Sequence, residues 1–363
     1  MKNYKAKASL EESHESGRYA PGGRAHPCSK RRPVLAIAVA IGALMAPARA
    51  AVPSSGTAFT VSGLGLEMRP IPAGTFLMGS PADEPGRQTQ EGPQTQVTIS
   101  KPFWLGQTDI THGQWKSIMG TDLADQVRKA LYDNHIYNLG GGPQTLRDYW
   151  GLARGADPTS KLGNTDDNLP MHYVSWDDAM EFCRKLTQQA REAGTLPDGY
   201  EYTLPTEAQW EYACRAGTTD ATYAGPIQIV GKCNAPVLDE IAWYGGNSSL
   251  GYQGKGWDTT KWPEKQYPGG TAGPRDVGLK KPNAWGLYDM SGDVFQWCRD
   301  WYGPYPDGNV TDPVGASSGP FRVFRGGCWF NFAANCRSAF RDRYQTGFRS
   351  NFLGFRLALS SVR

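Results

Sequence analysis

Glycine and proline recur along the whole of this 363-residue chain, and they limit how long any helix or strand can be. The 44 glycines and 26 prolines follow no fixed period, which excludes a collagen-like repeat. Aromatic residues make up 12% of the chain, too many for a disordered polypeptide. The composition therefore favours a loop-rich fold, and the helix and strand patterns described below add up to an α+β domain with a few short helices, many short strands and much ordered loop.

The charge of the chain argues against nucleic acid as a partner. Lysine and arginine together number 38 and aspartate and glutamate 35, which gives a net charge of +3. Beyond the N-terminal segment there is no run of basic residues that could follow a phosphate backbone. The chain is therefore not expected to bind nucleic acid.

The first 50 residues have the layout of a secretion signal. A basic stretch at 30–32 precedes an apolar run at 34–45, and an Ala-Arg-Ala sequence ends at Ala50. The apolar run is shorter than the roughly 20 residues that span a bilayer, although a membrane anchor is the alternative. We predict cleavage near Ala50, export to the periplasm or beyond by either the general or the twin-arginine route, and no stable membrane span afterwards. Residues 51–57 are then a linker and residues 58–361 the folded domain.

Three helices are predicted by capping boxes, in which the side chains at the two ends of the first turn bind each other's backbone amides. An insertion at 121–168, with a helical piece near 127–132, separates the first helix from the second. Short strands are expected within 71–80, 96–100 and 103–105. The capping boxes pair Thr111 with Gln114, Ser175 with Asp178 and Thr206 with Gln209.

Several long phrases follow one another in a recognisable order. They are IPAGTFLMGS, FWLGQTDITHGQWKSIMG, PMHYVSWDDAMEFCRKL, YTLPTEAQWEYACRAGT, KPNAWGLYDMSGDVFQW, FRGGCW, NCRSAFR and LGFRLAL. In this order they resemble the formylglycine-generating, or sulfatase-modifying-factor, family throughout the domain apart from 121–168. The resemblance implies a C-type-lectin-like core elaborated with loops. Four arginines in these phrases are expected to anchor buried polar networks: Arg325, Arg337, Arg341 and Arg356.

The resemblance also raises the question of catalysis. Active members of the family hold Cu(I) between two cysteines of a segment R-G-G-S-x-x-C-x-x-x-x-C and oxidise a substrate cysteine. Here 325–327 matches, but Cys328 replaces the serine, Asn331 the first copper cysteine and Asn335 a tyrosine, so that only Cys336 is kept. An amide is a poor ligand for soft Cu(I), which predicts a catalytically inactive domain. The alternative is a copper-dependent formylglycine-generating oxidase or another oxidative maturation factor that uses Cys336 with Cys328; the two could also form a disulfide, although buried or free thiols are preferred.

A calcium site is implied by the same resemblance. The matching segment places the side chains of Asp289 and Gln296 and the carbonyls of Gly292 and Val294 as ligands. All four are hard oxygen donors, as Ca²⁺ requires. The alternative is a metal-free loop that Asp289 caps.

The segment 328–352 alternates framework residues with Phe, Tyr, Asn, Asp and Ser. It resembles the variable segment of diversity-generating retroelement proteins, in which adenines of asparagine codons are randomised. Phe, Tyr, Asp and Ser can be reached from AAC by changing adenines, and Cys328 from a serine AGC codon, whereas Gln345 cannot be reached from AAC. Rigid aromatics mixed with small polar side chains are typical of binding surfaces.

We therefore predict an exported domain that binds a protein or glycan through this segment. The alternatives are ordinary drift on buried loops and, for the chain as a whole, a structural component of the cell envelope. The predicted contact residues are Trp329, Phe330, Asn331, Phe332, Asn335, Phe340, Asp342, Tyr344, Ser350, Asn351 and Phe352.

Other enzyme classes find little support in the sequence. His112, His135 and His172 lack metal-binding spacing, and the six cysteines after the signal match no zinc template. There is no glycine-rich phosphate loop and no G-x-S-x-G elbow.

Overall fold

The structure, a computed structural model, describes Ser54, residues 56–138 and residues 142–362. The predicted secretion signal lies outside these residues, as does most of the predicted linker. Among the described residues, no helix is both long enough and apolar enough to cross a bilayer.

The capping boxes predicted from the sequence open three of the helices. In each box the side chain of the capping residue accepts from the backbone amide three residues on, and the side chain of that third residue accepts from the amide of the capping residue. The predicted helix starts are therefore confirmed. The helical piece near 127–132 is also confirmed. The described part contains five α-helices: α1 (His112–Met119), α2 (Leu123–Tyr132), α3 (Leu146–Tyr149), α4 (Trp176–Ala193) and α5 (Glu207–Arg215).

The strands are short and form six small sheets within the described residues. Frequent glycines and prolines interrupt them, as the composition predicted. They are β1 (Phe59–Thr60), β2 (Glu67–Ile71), β3 (Gly74–Met78), β4 (Thr95–Ile99), β5 (Phe103–Gly106), β6 (Tyr137–Asn138), β7 (Pro143–Gln144), β8 (Tyr200–Thr203), β9 (Ala242–Trp243), β10 (Trp257–Asp258), β11 (Thr271–Ala272), β12 (Ser291–Gly292), β13 (Phe295–Trp301), β14 (Asn309–Thr311), β15 (Arg322–Arg325), β16 (Arg341–Tyr344), β17 (Leu353–Gly354) and β18 (Ala358–Ser361).

Two sheets organise the domain. The larger has the order β1-β2-β5-β18-β8, with β18 antiparallel to both β5 and β8. The second has the order β16-β15-β13-β17 and carries both ends of the predicted binding segment. In this sheet β13 runs parallel to β17, which places Gln296 beside Gly354.

The main hydrophobic core lies under the larger sheet and α4. Trp115, Phe182 and Phe355 meet there, with ring centroids 5.3–6.2 Å apart. The insertion contributes Val127 and Leu131 to the same cluster, both fully buried. Burying a side chain of this size stabilises the fold by about 1.5–3 kcal/mol, so the insertion is held by the main core.

The arginines predicted to be structural are buried and multiply bonded, which confirms that prediction. Arg325 pairs with Glu207 at 3.1 Å and also with Glu211. Arg341 reaches the second oxygen of Glu207 at 2.6 Å. The other two, Arg337 and Arg356, bind Glu91 and a group of backbone carbonyls respectively. These networks hold the C-terminal segment against α5 and against the loop before β4.

Candidate functional site

The segment 328–352 is folded as two loops around β16. After β15, Gly326 and Gly327 both take positive φ values, 103° and 80°. A Cβ on Gly327 would lie 2.7 Å from Cys336 Sγ, so glycine is required for this close approach. The two loops are joined because Trp329 Nε1 donates to the carbonyl of Asn351 at 3.1 Å.

The cysteines of the predicted catalytic position are buried thiols. Cys336 is the last residue of a short 3-10 turn at 333–336, and Cys328 lies at the start of the first loop. Neither cysteine is exposed to solvent. The six cysteines of the described part are all free, so no Cys328–Cys336 disulfide is present. Burial raises the pKa of both thiols well above the usual range, which keeps them protonated at neutral pH.

The residues here do not fit a two-thiolate Cu(I) site. Asn331 occupies the position of the first copper cysteine, and its backbone carbonyl accepts a hydrogen bond from Gly245 N–H at 3.0 Å. Its amide oxygen is buried without a hydrogen-bond partner. One protonated thiol and one amide cannot supply the two thiolates that Cu(I) prefers.

The predicted calcium segment is held by hydrogen bonds that Gln296 makes, mostly with side chains outside the segment. Gln296 Oε1 accepts from Trp210 Nε1 at 2.7 Å and from Arg356 Nε at 3.1 Å. Gln296 Nε2 donates to the carbonyl of Asp289 at 2.8 Å and to Asp109 Oδ2 at 3.2 Å. Both lone pairs of the amide oxygen are therefore occupied, and Gln296 acts as the centre of this network.

The other predicted calcium ligands are one carboxylate and the two carbonyls of Gly292 and Val294. Asp289 Oδ2 already accepts from Gly278 N–H at 2.7 Å, and burial raises the pKa of Asp289 to about 6. Three oxygens are fewer than the six to eight that Ca²⁺ takes. No group of three or more His, Cys, Asp or Glu residues within the described ranges is arranged to hold a metal. The four predicted ligands thus do not by themselves complete a calcium site.

The structure divides the predicted contact residues by their exposure. Phe332 is the most accessible, with 46% of its surface exposed. Partial exposure is shared by Phe330, Asn331, Asn335, Asp342 and Tyr344. The remaining five are buried and contribute to the core: Trp329, Phe340, Ser350, Asn351 and Phe352. The accessible part of the segment is therefore smaller than the sequence alone indicated.

Two tryptophans that the sequence analysis did not single out adjoin this segment. The ring of Trp257 lies 4.9 Å from that of Trp329, and the ring of Trp262 lies 5.8 Å from Trp329 and 6.5 Å from Phe330. Both tryptophans are partly exposed. Together Trp257, Trp262, Trp329 and Phe330 form what we call the aromatic platform. The sequence feature that could have pointed to them is the presence of two tryptophans just after the glycine-rich stretch 245–256.

A buried histidine pair lies apart from the platform, at the start of α1. His112 Nε2 and His172 Nδ1 are 3.5 Å apart, and both rings are buried. Burial lowers the pKa of His112 to about 4 and that of His172 to about 3. The histidines are therefore neutral core residues at neutral pH.

The fold and the order of its motifs define a member of the sulfatase-modifying factor family. The profile described as "Sulfatase-modifying factor enzyme 1-like domain" matches residues 65–361, and the chain belongs to this family. The formylglycine-generating enzyme of Streptomyces coelicolor is 28% identical over 347 residues, which cover 87% of this chain and 96% of that enzyme.

Solved structures agree with this assignment. Treponema denticola variable protein 1 superposes with a TM-score of 0.55 at 26% identity, covering 83% of this chain and 98% of that one. PvdO from Pseudomonas aeruginosa superposes with a TM-score of 0.57 at 24% identity, covering 85% and 100%. The predicted α+β fold class is confirmed.

Proposed function

We propose that this chain is an exported, catalytically inactive member of the family that binds a protein or glycan ligand through the aromatic platform and the accessible residues beside it. The observation that carries the proposal is the copper position, where Asn331 replaces the first copper cysteine and Cys336 is a buried thiol. The fold is retained around this position while the chemistry of the site is not.

The composition of the surface supports a binding role. The partly exposed rings of Trp257, Trp262 and Phe330 all contact the buried ring of Trp329, and they present rigid contact area with few rotatable bonds. Asn335 and Asp342 are partly exposed polar residues of the 328–352 segment. The likeness to Treponema denticola variable protein 1, at 26% identity, is compatible with variable residues in the 328–352 segment.

The binding experiment uses a glycan array and an array of purified envelope proteins, probed with the full chain. We expect saturable binding to one of the two arrays. Combined Phe332→Ala and Tyr344→Ala should weaken that binding by about tenfold or more, because interface aromatics are frequent hot spots. Leu279→Ala is the matched control, since Leu279 is 59% exposed and lies outside the segment. Binding that the control weakens as much as the double variant would contradict the proposed surface.

The formylglycine-generating oxidase remains the competing function, favoured by the 28% identity to the Streptomyces coelicolor enzyme and by the retained Cys336. Cu(I) titration of the full chain, with a cysteine-containing sulfatase-motif peptide followed by mass spectrometry, separates the two. We expect neither tight copper binding nor conversion of the peptide thiol to an aldehyde. Turnover that Cys336→Ser abolishes would overturn the proposed lack of catalysis.

A further inference from the structure

A pocket of about 280 Å³ lies between the start of α5, the end of β13 and the loop 302–316. It shares no lining residue with the aromatic platform. Arg341 lines the pocket, whereas the predicted contact residues Asp342 and Tyr344 do not, since successive side chains of a strand point to opposite faces. Much of its wall is apolar and comes from Met78, Val97, Ala208, Pro304, Tyr305 and Val310.

Two buried carboxylates line this apolar pocket, and they differ in their partners. Glu207 is held by Arg325 and Arg341 at 3.1 and 2.6 Å. Asp300 is only 3% exposed and accepts the backbone N–H of Glu207 on Oδ2 at 3.0 Å. No cationic group of the described chain lies within 4 Å of its carboxylate. A buried carboxylate without a counter-ion is costly, so Asp300 is the exceptional group here.

The charged groups around Asp300 are committed elsewhere or lie farther away. Arg341 donates to Glu207 and to the carbonyls of Gln90 and Gly303. Arg322 donates to the carbonyl of Arg299. The groups whose charges act on Asp300 are Glu207, Arg299, Arg322 and Arg341. None of them forms an ion pair with it.

Gly315 packs its backbone closely against Asp300. It has a φ of 73°, and a Cβ built there would lie 2.8 Å from Asp300 Cβ and 2.7 Å from the carbonyl oxygen of Trp301. Any larger residue would press on Asp300 and the pocket wall. The position of Asp300 in the pocket wall thus depends on the absence of a side chain at residue 315.

We propose that this pocket binds an organic ammonium group, a protonated primary amine on a short apolar chain, with the ammonium on Asp300 and the chain against the apolar wall. An ammonium offers three donors and the charge that the carboxylate lacks. An anion is disfavoured because Arg325 and Arg341 are already paired. A hard metal ion is disfavoured because it needs several oxygen ligands, which an apolar wall does not supply.

The pocket is tested by calorimetric titration of the full chain with n-butylammonium chloride and, separately, with n-butanol. We expect saturable binding of the cation and at least tenfold weaker binding of the alcohol, since a hydrogen bond to a charged group is worth about a factor of ten or more. Asp300→Asn should lose binding by a similar factor, because the amide oxygen can still accept from Glu207 N–H but carries no charge. Asp307→Asn is the matched control on an exposed aspartate of the same loop, and it should bind as the unchanged chain does.

Two further measurements keep the test decisive. Ala316→Leu fills the pocket without altering the carboxylate and should also abolish binding, whether or not Asp300→Asn folds. Burial, assisted by the charge of Glu207, raises the pKa of Asp300 to about 7, so binding of the cation should weaken as the pH falls below 7. No saturable binding by the unchanged chain, equal binding of butylammonium and butanol, or full binding by Ala316→Leu would each overturn the proposal. None of these outcomes depends on the aromatic platform.

Discussion

Replacing Arg337 by methionine should be among the most destabilising single changes in the C-terminal segment. Arg337 is fully buried and uses its whole guanidinium. It donates to Glu91 at 2.5 and 2.7 Å, to Glu84 at 2.6 Å, and to the carbonyls of Gly86 and Ala334 at 2.8 Å each. These bonds tie the 3-10 turn at 333–336 to the loop before β4.

The magnitude follows from what the substitution leaves behind. Glu91 is 0% exposed, and without Arg337 its carboxylate keeps only Ser80 Oγ at 2.8 Å and Gln88 N–H at 3.1 Å as donors. A buried charge that loses its only ion-pair partner costs about 3–5 kcal/mol. If Glu91 is changed to Gln as well, no net charge remains at that position, and about half of the loss should be recovered.

Guanidinium unfolding followed by tryptophan fluorescence gives the free energies for the chain, Arg337→Met and the double variant Arg337→Met/Glu91→Gln. Arg343→Met is the control, because Arg343 is exposed in the same segment and should change stability by less than about 0.5 kcal/mol. A loss below about 1 kcal/mol for Arg337→Met, or a double variant less stable than the single one, would refute the reasoning.

Three further outcomes are expected. The pKa values of His112 and His172 are about 4 and 3 in the folded chain, below the ordinary 6.5. The contribution of the neutral pair to the free energy of unfolding is therefore complete above pH 6.5 and falls as the pH drops. Between pH 7 and pH 5 the loss should be about 2 kcal/mol per ring. Because buried aspartates with raised pKa values act in the opposite direction, the quantity to measure is the difference between the chain and His172→Phe at both pH values. Since the amide oxygen of Gln296 is already occupied, adding 1 mM calcium or EDTA should leave the thermal midpoint unchanged within about 1 °C; a shift of several degrees would show that the segment rearranges around the ion. Iodoacetamide should leave Cys328 and Cys336 unlabelled in the native chain and label both after unfolding, as mass spectrometry of peptides can show.

Features determined by nearby residues could be predicted from the sequence. The capping boxes at Thr111, Ser175 and Thr206 involve a donor and an acceptor three residues apart, so composition and spacing were sufficient. Gly326 and Gly327 are a local signal of the same kind, because few other residues tolerate the positive φ found at both positions.

Features determined by distant residues could not. The role of Gln296 depends on Trp210 and Arg356, which lie 86 and 60 positions away in the chain. The resemblance implied a metal ligand there, whereas the structure gives Gln296 four protein hydrogen-bond partners. The burial of Asn351 likewise follows from its bond to Trp329 and from the packing of two loops, which no local pattern encodes.

The position of β18 has a consequence for how the chain is made. β18 lies between β5 and β8 and pairs with both, so it joins two strands that are almost 100 residues apart in the chain. The ribosome therefore delivers the whole of 328–352 before it delivers the strand that closes the larger sheet. Whether a chain with a substitution in that segment can fold is therefore decided only when β18 pairs with β5 and β8. If β18 cannot dock, the edges of β5 and β8 stay unpaired, and open strand edges favour aggregation. Such a chain would be lost to aggregation before its altered segment could bind a ligand.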